Sequence, residues 1–318
     1  MRTLSTIFAA GVAARNALYD RHVFKVRRLS RPVVSIGNIS AGGTGKTPFV
    51  IALGELLKQR DIAFDVLSRG YGRKPAGVAV VDPQGTPDQF GDEPLLLARK
   101  LQVPVVVGAD RYQAGLLAEK QFNTRLHLLD DGFQHRRLHR DFDIVMLPTA
   151  DLHDALLPLG RLREPLSALR RADAVVIPGA VTEQAESTAY LSTVENIWKV
   201  RRVLEVDQPV GTALAFCGIA RPEQFFLQLR SLGIVVASTI TFRDHHHYLQ
   251  SDIDRLLKGK QAAGAECFIT TEKDLVNLTT LTHRLQPLHV ASLRLVLETE
   301  TVVGGLIKTL EQRCGCRL

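Results

Sequence analysis

The chain is 318 residues long, 45% hydrophobic and 23% charged, with a formal charge of +7. Such a composition excludes a disordered or fibrous chain and allows one large domain or two moderate ones. The basic balance calls for an anionic partner, whether phosphorylated ligand, acidic lipid surface or nucleic acid, and only motifs choose among these.

The first predicted element is a helix within residues 1–30. In "MRTLSTIFAAGVAARNALYDRHVFKVRRLS", Leu4, Ile7, Phe8, Gly11 and Leu18 fall near one helical face, with Arg15, Arg21, Lys25, Arg27 and Arg28 along and behind it. The uncharged run from Thr3 to Ala14 is shorter than the ~20 residues of a spanning helix, and no convincing cleavage site follows. The helix is expected to lie on a surface, that of a membrane or that of its own core.

From Arg31 to about Gly179 the runs "PVVSI", "FDVLS", "VAVV", "VPVVV", "LHLLD", "DIVML" and "AVVIP" alternate with helical stretches. This pattern predicts a mostly parallel sheet with helices on both faces, in a core domain of residues 31–195. "DPQGTPDQFGDEP" reads as a long loop whose exit holds two acids. Residues 196–210, around "ENIWKVRRVLEV", predict a linker strand, and residues 211–286 a smaller α/β domain in which Pro222 opens a helix. Residues 287–318 predict a return strand and a C-terminal helix packed on the core. Cys217, Cys267, Cys314 and Cys316 lack a framework spacing and read as reduced thiols.

Chemistry concentrates in "VVSIGNISAGGTGKTPFVIALGELLKQR", an apolar strand feeding a glycine-rich loop that opens into a helix. This is a P-loop: backbone N–H groups of Ser40, Ala41, Gly42, Gly43, Thr44 and Gly45 converge on phosphate, Lys46 reaches the β/γ-phosphates and Thr47 offers its hydroxyl to Mg²⁺. Ser40 stands where the motif's first glycine belongs, and Pro48 is tolerated in the first helical turn. In "RLHLLDDGFQHR" a strand ends in Asp130 and Asp131, either of which suits the metal side. Arg69, Arg73, Arg111, Arg161 and Arg163 follow other strands at the edge where open α/β sheets bind ligands, and as a group they suit phosphates. Asp92 and Glu93 are candidates for orienting an attacking oxygen, or are plain helix N-terminal acids. Three consecutive histidines in "RDHHHY" do not easily share one ion, because neighbouring side chains diverge. His247 and Tyr248 read as a polar turn before a helix starting near Ser251.

These motifs, with "RNALYDR", "LSRGYGR", "GDEP", "GRLREP", "FCGIARPEQFF", "FRDHH" and "TTEKD" in order over nearly the whole length, resemble the tetraacyldisaccharide 4′-kinase family. In that family the position of Ser40 is commonly Ser or Thr. The resemblance implies transfer of the γ-phosphoryl of MgATP to the 4′-hydroxyl of an acylated glucosamine disaccharide 1-phosphate. It implies Lys46 and Thr47 on nucleotide and metal, Asp130 and Asp131 at the Walker B end with Glu93 as a further metal candidate, and Asp92 facing the acceptor. It also makes His245, with His246 as substitute, the partner of Asp92, improving a weak base. Arg69, Arg73, Arg111, Gln134, His135 and Arg163 become substrate-side candidates. A P-loop NTPase-like core and a smaller lobe joined by a two-stranded linker are expected, in a monomer resting by its first helix on the cytoplasmic face of the bacterial inner membrane. No nucleic-acid partner is expected, since no helix-turn-helix, zinc-finger or RRM signature accompanies the charge. The competing reading is a P-loop GTPase or metallochaperone switch. Against it, Thr271 to Asp274 reads T-E-K-D, without the lysine two places before the aspartate that guanine readers show.

Overall fold

The apolar runs become strands buried on both faces. In the computed structural model, which describes residues 2–179, 190–207, 211–297, 301–315 and 317–318, the core strands are β1 (Val33–Asn38), β2 (Phe64–Ser68), β3 (Ala79–Val80), β4 (Val105–Val107), β5 (Leu126–Asp130), β6 (Phe142–Met146) and β7 (Ala174–Pro178). Every residue of β1, β2, β5 and β6 is buried, as parallel strands covered by helices on both sides require. Val34, Ile36, Val66 and Leu128 face one apolar cluster, whereas Val33, Leu67 and Leu129 face another.

Five further strands, β8 (Asn196–Glu205), β9 (Ala213–Cys217), β10 (Val236–Thr241), β11 (Cys267–Thr271) and β12 (Leu288–Leu297), extend the same sheet. Its order is β10-β9-β11-β12-β8-β7-β6-β1-β5-β2-β4-β3. The two α/β series therefore share one sheet, because β12 serves both. Leu288 to Ala291 run parallel to β11, and Ser292 to Leu297 run antiparallel to β8.

The first helix, α1 (Arg2–Asp20), ends earlier than the thirty-residue segment in which it was expected. His22 takes a left-handed φ of 57°, its N–H donates to Tyr19 O, and Val23 N–H donates to Leu18 O. This pair of bonds is a Schellman stop, which satisfies the last carbonyls and turns the chain away. The core helices are α2 (Lys46–Lys58), α3 (Pro87–Phe90), α4 (Asp92–Leu101) and α5 (Arg111–Gln121), so the long loop before Asp92 holds a short helix of its own. In the second lobe, α6 (Pro222–Ser231) opens on Pro222 as expected, followed by α7 (Gln250–Ala262) and α8 (Glu272–Leu278). The last helix, α9 (Thr301–Cys314), buries Val302, Val303, Leu306 and Leu310 in the core's cluster. Tyr248 is no polar turn residue: its ring is buried beside Phe216 and Phe242, and its hydroxyl donates to Asp274 at 2.8 Å.

Inside the core, His127 on β5 meets Asp65 on β2 at 2.8 Å, both fully buried, with Thr124 and Glu119 completing the cluster. Burial opposes the imidazolium, but Asp65 and Glu119 outweigh it and raise His127 to about 9. A folded pKa above the ordinary 6.5 means that this contribution is complete below about pH 6.5 and is lost as pH rises through about 9. Denaturation at pH 6.5 and 9.5 should show wild type losing on the order of 3 kcal/mol relative to His127→Asn. Parallel pH profiles of the two proteins would refute the charged pair.

Candidate active site

The glycine-rich loop joins β1 to α2 through Gly42 and Gly45, with left-handed φ values of 101° and 91°. Asn38 braces it by donating to Ser40 O at 2.8 Å and Thr44 Oγ1 at 3.1 Å. Ser40, the departure from the glycine pattern, donates its hydroxyl to fully buried Asp151 at 2.5 Å. A glycine there would leave that carboxylate without this donor. From β8, Arg202 reaches Thr44 O at 3.2 Å, so a second strand braces the cradle as well.

At the adjacent strand end, Lys46 lies 3.3 Å and Arg163 3.5 Å from Asp131. Burial opposes ionisation of Asp131, yet these two cations keep its carboxyl below the usual range. Asp130 has the opposite balance. Burial first, then the charges of Glu93 and Asp131, push it up to about 7 against the pull of Lys46 and of Ser68, which donates at 3.1 Å. Its Oδ1 is buried with no hydrogen-bond partner among the described residues. This orphaned oxygen, with the charges of Glu93 and Asp131 acting on the same carboxyl, is the oxygen chemistry that a hard divalent cation such as Mg²⁺ takes, and Thr47, buried at the start of α2, is the P-loop hydroxyl.

Asp92 begins α4, packed against the second lobe. Glu93 N–H donates to its Oδ1 at 2.9 Å, Asn277 of α8 to Oδ2 at 3.2 Å, and His245 Nδ1 lies 2.9 Å from Oδ2. His245 is held with a left-handed φ of 56° on the loop after β10, and its ring packs on Tyr71 at 5.3 Å. A non-glycine residue there stores backbone strain, a frequent mark of a functional position. Burial would raise Asp92, but His245, Lys273 and Asn277 together hold it at about 2. The histidine thus stabilises the carboxylate and weakens it as a base, the reverse of the improvement expected from sequence, because the donor faces the charged form. His245 is itself raised: burial opposes its charge, Asp92 favours it and Lys273 works against it.

The other two histidines face other carboxylates, His246 Nε2 to Asp252 at 2.9 Å and His247 Nδ1 to Asp88 at 3.8 Å. The three rings therefore serve three acids. Asp274 of T-E-K-D is fully buried and accepts from Gly218 N–H, Tyr248 and Thr271, a structural knot rather than a base reader.

The substrate-side candidates divide. Buried Arg111 feels the charges of Asp131, Arg69 and Asp130, while Arg69 is exposed. Gln134 is tied to the P-loop strand, donating to Asn38 O at 2.8 Å and to Glu164 at 3.1 Å. His135 is held down to about 4 by burial and then by Arg111, so its ring is neutral. Arg73 is spent on its own turn, donating to Gly77 O. Arg161 serves Asp154 at 2.8 Å. Sequence reasoning missed Asp151, Arg202, Asn277 and Lys273. Lys273 lay in the T-T-E-K-D motif and Arg202 in the quoted linker stretch, and Asn277 follows Lys273 by one helical turn.

A P-loop cradle, an acidic strand end and a second lobe that seats a histidine on a buried aspartate define a P-loop phosphotransferase. A family model described as tetraacyldisaccharide-1-P 4′-kinase matches residues 1–312, and the chain belongs to this family. Among curated relatives, the tetraacyldisaccharide 4′-kinase of Koribacter versatilis is 49% identical over 99% of this chain and 100% of its own length. That of Geobacter metallireducens is 38% identical over 93% of each. The crystal structure of "apo" form LpxK from Aquifex aeolicus in complex with ATP superposes with a TM-score of 0.78 at 35% identity, covering 97% of each chain.

Proposed function

We propose that the chain transfers the γ-phosphoryl of ATP to the 4′-hydroxyl of an acylated glucosamine disaccharide 1-phosphate, at the cytoplasmic face of the inner membrane. The observation that carries this reading is Asp92, buried and held by His245 of the second lobe at the edge of the P-loop core. A carboxylate offers about four acceptor sites. Glu93 N–H, His245 and Asn277 take three of them, leaving one for the acceptor hydroxyl.

In this reading the backbone from Ser40 to Thr47 and the Lys46 ammonium hold the nucleotide's phosphates. Thr47, Asp130 and Asp131 would hold Mg²⁺, with Glu93 nearby, and the ion when bound supplies charge neutralisation on the phosphates. Arg111, Arg163 and Lys46 add fixed positive charge around Asp131. Asp92 orients the hydroxyl and takes its proton late, which suits a loose transition state that builds little charge on the nucleophile. Gln134, whose carbonyl accepts from Arg15 of α1 at 2.5 Å, links the acceptor side to the first helix. The test is label transfer from γ-labelled ATP to the disaccharide 1-phosphate in micelles; folded protein that moves no label with Mg²⁺ present sinks the proposal.

Membrane contact rests on α1. Its second half docks on the core through Asn16–Glu164 and Asp20–Arg136, each at 2.7 Å. Leu4 and Ile7 stay 58% and 64% exposed, and Val23, Phe24 and Val26 are exposed beside Arg21 and Lys25. No described helix is long and apolar enough to cross a membrane. Burying two such side chains is worth about 3–6 kcal/mol, so Leu4→Glu with Ile7→Glu should cut sedimentation with anionic vesicles more than about tenfold. Undiminished sedimentation would assign α1 to the core alone.

A further inference from the structure

Lys273 lies where the two lobes meet, with a side chain only 18% exposed. Its ammonium is 3.0 Å from Asp244 Oδ1 and 3.1 Å from His245 Nε2 on the loop after β10. From the core it faces Asp92 Oδ2 at 3.8 Å and Glu93 Oε1 at 3.7 Å, both on α4. Buried Asp274, next in the chain, also feels the charge of Lys273. A lysine ammonium has three donors and no acceptor. Its contact with Nε2 therefore requires a lone pair on that nitrogen, which puts the neutral ring's proton on Nδ1, facing Asp92. The tautomer is assigned from this hydrogen-bond network.

We propose that Lys273 is a positioning residue that locks His245 in its Nδ1–H tautomer, so that the hydrogen bonds from Lys273 to His245 and from His245 to Asp92 run in one direction, toward the Asp92 carboxylate. The proposal rests on the kinase reading only for its consequence in catalysis. With Nδ1 carrying hydrogen and Nε2 occupied by Lys273, His245 has no free lone pair. It is then not the destination of the acceptor's proton. As the acceptor oxygen bonds the γ-phosphorus, the bond from that phosphorus to the β,γ-bridging oxygen breaks and ADP leaves, while the acceptor's O–H proton passes to Asp92 and from there to solvent. His245 serves by orientation. Lys273 also ties Asp244 of the second lobe to the acids of α4, so the same ammonium that sets the tautomer holds the lobes in register.

Long-range ¹H–¹⁵N correlation spectra of the full chain with labelled histidine read the tautomer without substrate or turnover. The His245 signal among the ten histidines is assigned by its loss in His245→Gln. Above the pH at which the His245 signal stops titrating in these same spectra, wild type should show protonated Nδ1 and unprotonated Nε2. Lys273→Met should shift the ring toward the Nε2–H form, and Lys273→Arg should keep the wild-type pattern. In the transfer assay Lys273→Met should lower kcat by about 10- to 100-fold and leave KM for ATP within a factor of about two. A wild-type ring protonated on Nε2, or an unchanged ring in Lys273→Met, overturns the proposal. The Asp92 carboxylate by itself also favours Nδ1–H, so the lysine variants carry the test, and Lys273→Ala repeats it with the same expected shift should Lys273→Met fail to fold; an unchanged ring in either overturns the proposal. Wild type that transfers no phosphoryl group would remove the kinase reading and leave the tautomer result standing.

Discussion

Replacing Asp92 by asparagine is expected to lower turnover by about 10²- to 10⁴-fold while ATP still binds. The side chain is almost fully buried, and its carboxylate accepts from Glu93 N–H, His245 and Asn277. Asparagine keeps the shape but turns one acceptor into a donor, which then confronts His245 or Asn277. The ring of His245 must yield or flip, and the acceptor hydroxyl loses the charged group that orients it. Nucleotide affinity should hold, because the cradle is braced by Asn38 and Arg202 rather than by Asp92. Initial rates with label transfer and an equilibrium ATP titration separate the two effects. Turnover within a factor of two of wild type would exclude Asp92 from the chemistry.

Gly37→Val is expected to cost about 3 kcal/mol and to disturb the acidic strand end at the same time. Gly37 lies on β1 between β5 and β6, where a Cβ would fall 2.5 Å from Phe133 Cβ and 2.8 Å from Phe133 N. Phe133 cannot retreat: it is fully buried, and the Arg171 guanidinium packs on its ring at 4.4 Å. Gly132 N–H donates to Ile36 O at 3.1 Å, which ties the turn bearing Asp130 and Asp131 to the same strand. The side chain therefore pushes on the segment that carries the metal-side acids. Urea titration should show the midpoint fall, and Mg²⁺-dependent ATP affinity should weaken with it. An unchanged midpoint would mean that the turn is free to move.

Much of this molecule was readable before any coordinates because the relevant physics is local. A strand, a glycine loop and a helix start in one contiguous stretch announce a phosphate cradle, since left-handed turns and unpaired first-turn N–H groups need particular residues at particular spacings. The apolar runs of β1, β2, β5 and β6 announce burial on both faces for the same reason, and Pro222 marks the start of α6. Residues that act over long separations left weaker traces. The family resemblance allowed a Ser at position 40, but what its hydroxyl does was decided by Asp151, 111 positions away. The His127 and Asp65 pair left no trace, because nothing in either strand's own pattern requires a charged partner across the ladder.

By itself, the sequence determined the class of fold, the nucleotide cradle and the acidic strand end, along with the family that their order resembles. Tertiary structure alone decided that β12 makes one sheet of two lobes, and which way the hydrogen bond of His245 and Asp92 runs across 153 positions, a pairing that only the family resemblance had implied. It also decided that Lys273 fills the other side of that ring. Propensity, turn chemistry and hydrophobic period act between near neighbours and are written in the chain. The direction of a hydrogen bond and the balance of burial against charge depend on which distant groups the fold brings within about 3–4 Å, and these set the state of Asp92.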